Sequence, residues 1–260
     1  MLDVRAGVVL AAASLLLLSF TPAAAAQRAP SPGAPPRVLN VVHVRLKPRA
    51  AATYAALEAQ IVRAYERAKV RIYWICLQGP KDATDIVYLN LHDSPEAAEQ
   101  AAVAYRDVLR QHPELVQMQQ RLSDLTASTT SMLTTRRGDV DRVTPDTDFA
   151  TLRSIRMTTF QVMPGREGAF LNAVRTTSPK EGSWLVYEAN DSSTYELIAL
   201  TRKAIGRRDG PTAPRSLKRF KGVIAKTEAH VFAVRPSMSH VSQAFVAANP
   251  QLWRPPAATH

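Results

Sequence analysis

The chain has 260 residues, 46% of them apolar, and its 33 Lys and Arg against 22 Asp and Glu give a net charge of +11. That apolar content excludes a disordered polyelectrolyte and suffices for a core of ordinary size, most naturally as two small domains. Cys76 is the one cysteine, so no intramolecular disulfide is available and the fold must be held by burial.

Residues 1–26 form a separate unit: a head with Arg5, an uncharged stretch from Gly7 to Phe20, then Pro22 and a run of alanines. This is the order of a secretory signal peptide, with an apolar stretch too short to span a bilayer comfortably. The expectation is cleavage near Ala26-Gln27 and export to the periplasm or beyond, with no membrane span in the mature chain; Asp3 weakens the positive head and leaves an uncleaved anchor as the alternative. Residues 27–37, with Pro30, Pro32, Pro35 and Pro36, read as an extended tether. Asp3 and Arg5 cancel, so the positive charge belongs to the mature protein. An exported basic chain meets anionic envelope material, and nucleic acid is not an expected partner.

The first unit, 38–137, begins with a strand from Val38 to Lys47 that Pro48 ends. Tyr54, Leu57, Ile61 and Tyr65 then recur at helical spacing. Arg71–Gln78 and Asp85–His92 read as strands joined through Gly79-Pro80-Lys81-Asp82, a turn composition. Ser94-Pro95-Glu96 is the signature of a helix start, His112-Pro113 interrupts that helix, and Leu115, Met118, Leu122 and Leu125 continue on a second segment. Thr129–Arg136 is the last strand. The order β-α-β-β-α-β is ferredoxin-like.

An acidic linker, 138–150, carries Asp139, Asp141, Asp146 and Asp148 at a spacing that does not match a calcium loop. The second unit, 151–236, repeats the order: strand 152–163, helix to about Thr177, strands 183–189 and 195–202, a basic segment 202–226 with a short helix carrying Leu217, Phe220 and Ile224, and strand 229–235. The tail, 237–260, has a helical turn around Phe245, and Trp253 is placed to pin it to the body.

The halves also repeat in detail. Val44-Arg-Leu-Lys-Pro48 through Tyr54 returns as Phe160-Gln-Val-Met-Pro164 through Phe170, and Trp74-Ile-Cys-Leu with Ile86-Val-Tyr-Leu-Asn-Leu returns as Trp184-Leu-Val-Tyr with Glu196-Leu-Ile-Ala-Leu-Thr. On these residues the chain resembles the dimeric α/β-barrel superfamily, which includes antibiotic-biosynthesis monooxygenase-like and NIPSNAP-like domains. The resemblance implies an α+β fold in which two tandem ferredoxin-like units close an intramolecular barrel, as a monomer forming a pseudo-dimer. It also permits a cofactor-independent oxygenase or isomerase.

Strand alternation sorts the side chains. Val42, Val44 and Leu46 are expected under the helices and Leu39, Val41, His43 and Arg45 between the sheets. Val87, Leu89 and Leu91 are likewise assigned to the helices, leaving Ile86, Tyr88, Asn90 and His92 on the cavity side. The second half places Met157, Thr159, Gln161, Glu196, Ile198 and Leu200 there, without a histidine. His43, Arg45, Tyr88, Asn90 and His92 are therefore the candidate ligand-binding residues, suited to a small acidic or phenolic molecule; Arg45 and His92 reaching solvent, with Tyr88 and His43 satisfied internally, is the structural alternative. Cys76, between Ile75 and Leu77, reads as a buried, inert thiol.

Phosphate-loop, nucleophile-elbow, His-Glu-x-x-His and paired-cysteine signatures are absent, so no cofactor and no metal is expected. Haem, held by His112 as the resemblance would allow, is the alternative, against which His112-Pro113 reads as a helix break. The expected function is binding of a small organic ligand between the sheets, the alternatives being the oxygenase or isomerase and a basic, envelope-associated structural protein.

Overall fold

The computed structural model describes residues 34–79, 83–142, 148–176, 184–201 and 222–254. Residues 1–26, expected as a leader, most of 27–37, expected as a tether, residues 143–147 and nearly all of the basic segment 202–226 lie outside them.

Strand β1 (Val38–Leu46) stops before Pro48, which has no N–H to continue a ladder. Arg49 turns the chain at a φ of 66°, and Gly165, which also follows a proline, does so at 74°. Helix α1 (Ala51–Arg67) has no side-chain cap and is held by a buried face that includes Tyr54, Leu57, Ile61 and Tyr65. β2 (Trp74–Gln78) and β3 (Asp85–His92) follow. Ser94 caps α2 (Pro95–Gln111), its Oγ accepting from the Ala97 N–H at 3.2 Å. α3 (Pro113–Asp124) restarts after the break at His112-Pro113, and β4 (Thr126–Arg136) closes the first half.

The second half comprises β5 (Ser154–Val162), α4 (Glu167–Thr176), β6 (Leu185–Ala189), β7 (Thr194–Thr201) and β8 (Ile224–Val234). α5 (Gln243–Ala248) and α6 (Pro250–Trp253) form the tail. β4 and β8 start at Thr126 and Ile224, earlier than the expected Thr129 and Ala229. Their first residues are mostly polar and partly or fully exposed, so they carry no alternation to read.

The strands among the described residues close into one antiparallel barrel in the order β1-β3-β2-β8-β5-β7-β6-β4. Closure removes the free edges that an open sheet would present. β1 lies between β3 and β4, and β5 between β7 and β8. His43 faces Val87 and Thr130 on its two neighbours as Thr159 faces Glu196 and Glu228. Each ladder slips at the matching place, between Arg45 and Leu46 on β4 and between Gln161 and Val162 on β8. The ladders therefore match Val87 with Glu196 and Tyr88 with Leu197, one residue away from the pairing of Ile86 with Glu196 read from the sequence.

That slip inverts β3. Val87, Leu89 and Leu91 belong to the barrel interior with Leu39, Val41 and Phe232, while Ile86 and Tyr88 lie under the first-half helices with Val44, Tyr54 and Ile61. The expected faces of β1 and the inward positions of Met157 and Ile198 stand. Phe245, Leu252 and Trp253 of the tail join the interior core, and Trp253 Nε1–H donates to the Ala150 carbonyl at 2.8 Å. A third cluster, with Phe160, Phe170, Val174 and Leu197, packs under α4. No helix among the described residues is long and apolar enough to cross a membrane.

Candidate functional site

The residues singled out from the sequence divide between two faces. His43 and Arg45 follow Val41 on the barrel side of β1; His43 is half-buried and Arg45 exposed, 3.5 Å from Thr84 Oγ1. Tyr88 lies on the helix side, and so do Asn90 and His92 by alternation, which corrects their expected position between the sheets. The wall where a cavity was expected is instead a packed apolar core of residues such as Leu39, Val87, Leu89, Ile155 and Phe232.

On the helix side, β1 contributes Asn40 and Val42, β3 contributes Tyr88 and Asn90, and β4 contributes Ser131, all brought to one face by the register. Ser131 Oγ donates to Asn40 Oδ1 at 2.7 Å, and Asn90 Nδ2 donates to the Asn40 carbonyl at 3.3 Å. His92 sits at the end of this face, opposite Val38. Burial holds its imidazole down at about 4, with Asp93 pulling the other way, so it is neutral at physiological pH.

The chemistry lies deeper, at a residue that the sequence reading missed. Glu58 is on α1 with 4% of its surface exposed, one helical turn beyond Tyr54. Burial pushes its carboxyl up to about 8, against a hydrogen bond from Tyr88 that favours the charged form. Tyr88 Oη is in turn 2.9 Å from Tyr54 Oη. Glu58 thus lies beside a hydrogen-bonded pair of phenols, and Tyr88 couples its ionisation to that pair. Glu58 Oε2 is buried and has no hydrogen-bond partner among the described residues. Burial raises the Tyr54 and Tyr88 phenols too, with the Glu58 charge adding to the shift, so both stay protonated. Tyr105 of α2 packs against the same cluster. The signal was available: Glu58 interrupts the apolar stripe of Tyr54, Leu57, Ile61 and Tyr65 at the i+4 position from Tyr54.

Cys76, beside Tyr88 on β2, is fully buried, and burial holds its thiol well above the ordinary range, as expected of an inert cysteine. His112 stands at the junction of α2 and α3 with Nδ1 3.1 Å from Glu114 Oε1, and Glu114 is 57% exposed. An imidazole tied to a surface carboxylate does not fit an enclosed haem ligand.

No family model matches the sequence, and no curated protein matches it. Among solved structures, an anthrone oxidase-like protein is 14% identical and aligns over 79% of this chain and 94% of its own, with a TM-score of 0.50. A proposed monooxygenase of Fusobacterium nucleatum is 15% identical over 77% of this chain and 93% of its own, with a TM-score of 0.49. Another, of Lactobacillus acidophilus, is 7% identical over 76% and 93%, with a TM-score of 0.47. At such identities the likeness to the anthrone oxidase-like protein is one of fold: a ferredoxin-like α+β architecture spanning well beyond either half of the chain.

Proposed function

We propose that the first half of the barrel binds a small hydroxylated aromatic molecule between its helices and its sheet, and that Glu58 removes a proton from it as the first step of a cofactor-free oxygenation. The observation that carries this reading is internal to the chain. At the places matching Tyr54, Glu58 and Tyr88, the second half has Phe170, Val174 and Leu197, which pack as an apolar cluster under α4. The same scaffold therefore needs no polar group at these positions. Putting a carboxyl there costs stability, which function would explain.

A carboxyl titrating near 8 is matched to abstracting a weakly acidic proton, and Tyr88 and Tyr54 carry that proton away or return it. Asn90, Asn40 and Ser131 offer hydrogen bonds to a second substituent of the ring. The name of the structural neighbour supplies the first compound to try. In the oxidation of an anthrone the ring CH2 becomes a carbonyl; one atom of dioxygen stays on that carbon, and the other leaves as water with the two hydrogens.

The recurring ladders and the matching bulges support an origin by tandem duplication and a single-chain pseudo-dimer. The composition of residues 1–26 supports export of this activity, and Asn90 and His92 are retained as ligand contacts on the helix side instead of between the sheets. The test is oxygen uptake by the purified full chain with anthrone and a series of phenols. Uptake by the parent, reduced at least a hundredfold in Glu58→Gln, is expected; uptake that survives in Glu58→Gln, or none with any of these compounds, removes the oxygenase reading.

A further inference from the structure

We propose that the mouth of the barrel is a second binding site, for a protonated primary amine, centred on Glu196. Glu196 is on β7 with 1% of its surface exposed, and it faces inward between its ladder partners Thr159 and Tyr187. Thr159 Oγ1 donates to Glu196 Oε1 at 3.0 Å, while Glu196 Oε2 is buried without a hydrogen-bond partner among the described residues. A buried acceptor left in that state is costly, and the fold does not require it. The first half puts Val87, fully buried, at the matching rung.

The surroundings are rich in acceptors. Thr159 keeps a lone pair. Glu228 lies across the other ladder from Thr159, and His230, two residues on along β8, has Nδ1 3.9 Å from Asp85 Oδ2. His43 is close enough to feel Asp85, His230 and Glu228, and burial pushes it toward the neutral imidazole. Glu228 and His230 are exposed, so this end of the barrel meets solvent at these two side chains. Among the described residues, the cations on this side are Lys226, 2.6 Å from Glu228, and Arg45, opposite Asp85 on the β1–β3 ladder.

Neither is positioned by Glu196, whose ionisation is governed by burial and then by Thr159. The missing partner is thus a donor that carries positive charge. No group of three or more His, Cys, Asp or Glu among the described residues is arranged to hold a metal ion, which favours an organic cation. A primary ammonium is compact, and its three N–H donors match Glu196 Oε2, the Thr159 hydroxyl and one carboxylate nearer the mouth. The rest of the molecule then points outward past His43 and His230. This site is separate from the one beneath α1 and does not rest on the oxygenase reading.

The test uses the full chain, titrated by calorimetry with n-butylammonium and with n-butanol, a neutral analogue of the same length. Saturable amine binding, at least tenfold tighter than any alcohol binding, is expected. It should weaken at least tenfold in Glu196→Gln and as the pH is lowered from 8 to 6, and stay within twofold of the parent in Glu58→Gln. Equal affinity for amine and alcohol, no saturation, or full retention in Glu196→Gln overturns the proposal. If Glu196→Gln does not fold, the comparison of amine with alcohol across pH in the parent decides by itself.

Discussion

Tyr88 and Tyr54 meet hydroxyl to hydroxyl at 2.9 Å, one reaching out from the sheet and the other down from α1. Because Tyr88 also hydrogen-bonds the Glu58 carboxyl, it sets how easily that group ionises. Tyr88→Phe removes the one interaction that opposes the effect of burial. The Glu58 carboxyl should therefore titrate above its present value of about 8, and any proton abstraction that depends on it should move to higher pH. Carboxyl carbon NMR of the variant checks the direction. A downward or absent shift would mean that Tyr88 does not donate to Glu58.

Glu58 also makes stability depend on pH. Its carboxyl titrates near 4.5 when unfolded and near 8 when folded, so between those values the native state keeps a proton that the unfolded state has lost. Stability should fall as the pH rises through that window and level off above it, with a total on the order of several kcal/mol. Glu196, raised to about 7, adds a loss of the same sign. Urea denaturation of Glu58→Gln from pH 4 to 9 should show a flatter profile than the parent, with the largest gain at the alkaline end. Parallel profiles would contradict burial of an ionisable group at this position.

The first-half architecture was legible because its signals are local. Pro48, the Ser94 cap and the break at His112-Pro113 each punctuate an element by backbone chemistry that no tertiary contact can override. The faces of β3 were not legible, for a physical reason. Both sides of this strand are covered, by the barrel core on one and by helices on the other, so Ile86 and Tyr88 are as much at home in an apolar setting as Val87 and Leu89. Alternation separates two faces but does not say which is which. The ladder to β1 decides it, since His43 opposes Val87. His230 was not legible as an inward residue because the part of β8 before it is mostly exposed and carries no apolar alternation, although its ladder partner Met157 faces the interior. Asp85 was not legible because it opens β3 directly after a turn, where an acid is as much at home in solvent as in a site.

The tail offers a simpler test of packing. Trp253 contributes a buried ring to the interior core and an N–H to the Ala150 carbonyl. Trp253→Phe keeps most of the ring and loses the donor, for a cost of about 1 kcal/mol. Trp253→Ala also leaves a cavity, for about 3–5 kcal/mol. Equilibrium unfolding in urea should rank the parent, Phe and Ala forms in that order. Indistinguishable midpoints would show that α5 and α6 contribute nothing to holding the barrel.

The two halves allow a direct exchange of packing for chemistry. Tyr54→Phe, Glu58→Val and Tyr88→Leu together give the first half the residues found at Phe170, Val174 and Leu197. The exchange deletes a buried carboxyl whose Oε2 lacks a partner, and it removes both phenols of the relay in the same step, so no orphaned hydroxyl remains. The triple variant should be more stable than the parent at pH 8, by about 1–4 kcal/mol, and should gain less at pH 5, where Glu58 is already neutral. It should also lose the oxygen uptake expected of the parent. Glu58→Gln alone should lose uptake with a smaller gain in stability, because the amide still needs partners in an apolar setting. Stability measured at both pH values, with uptake measured alongside, separates a carboxyl kept for chemistry from one kept for packing: a triple variant less stable than the parent at pH 8 would mean that the Tyr54, Tyr88 and Glu58 contacts hold the first half together.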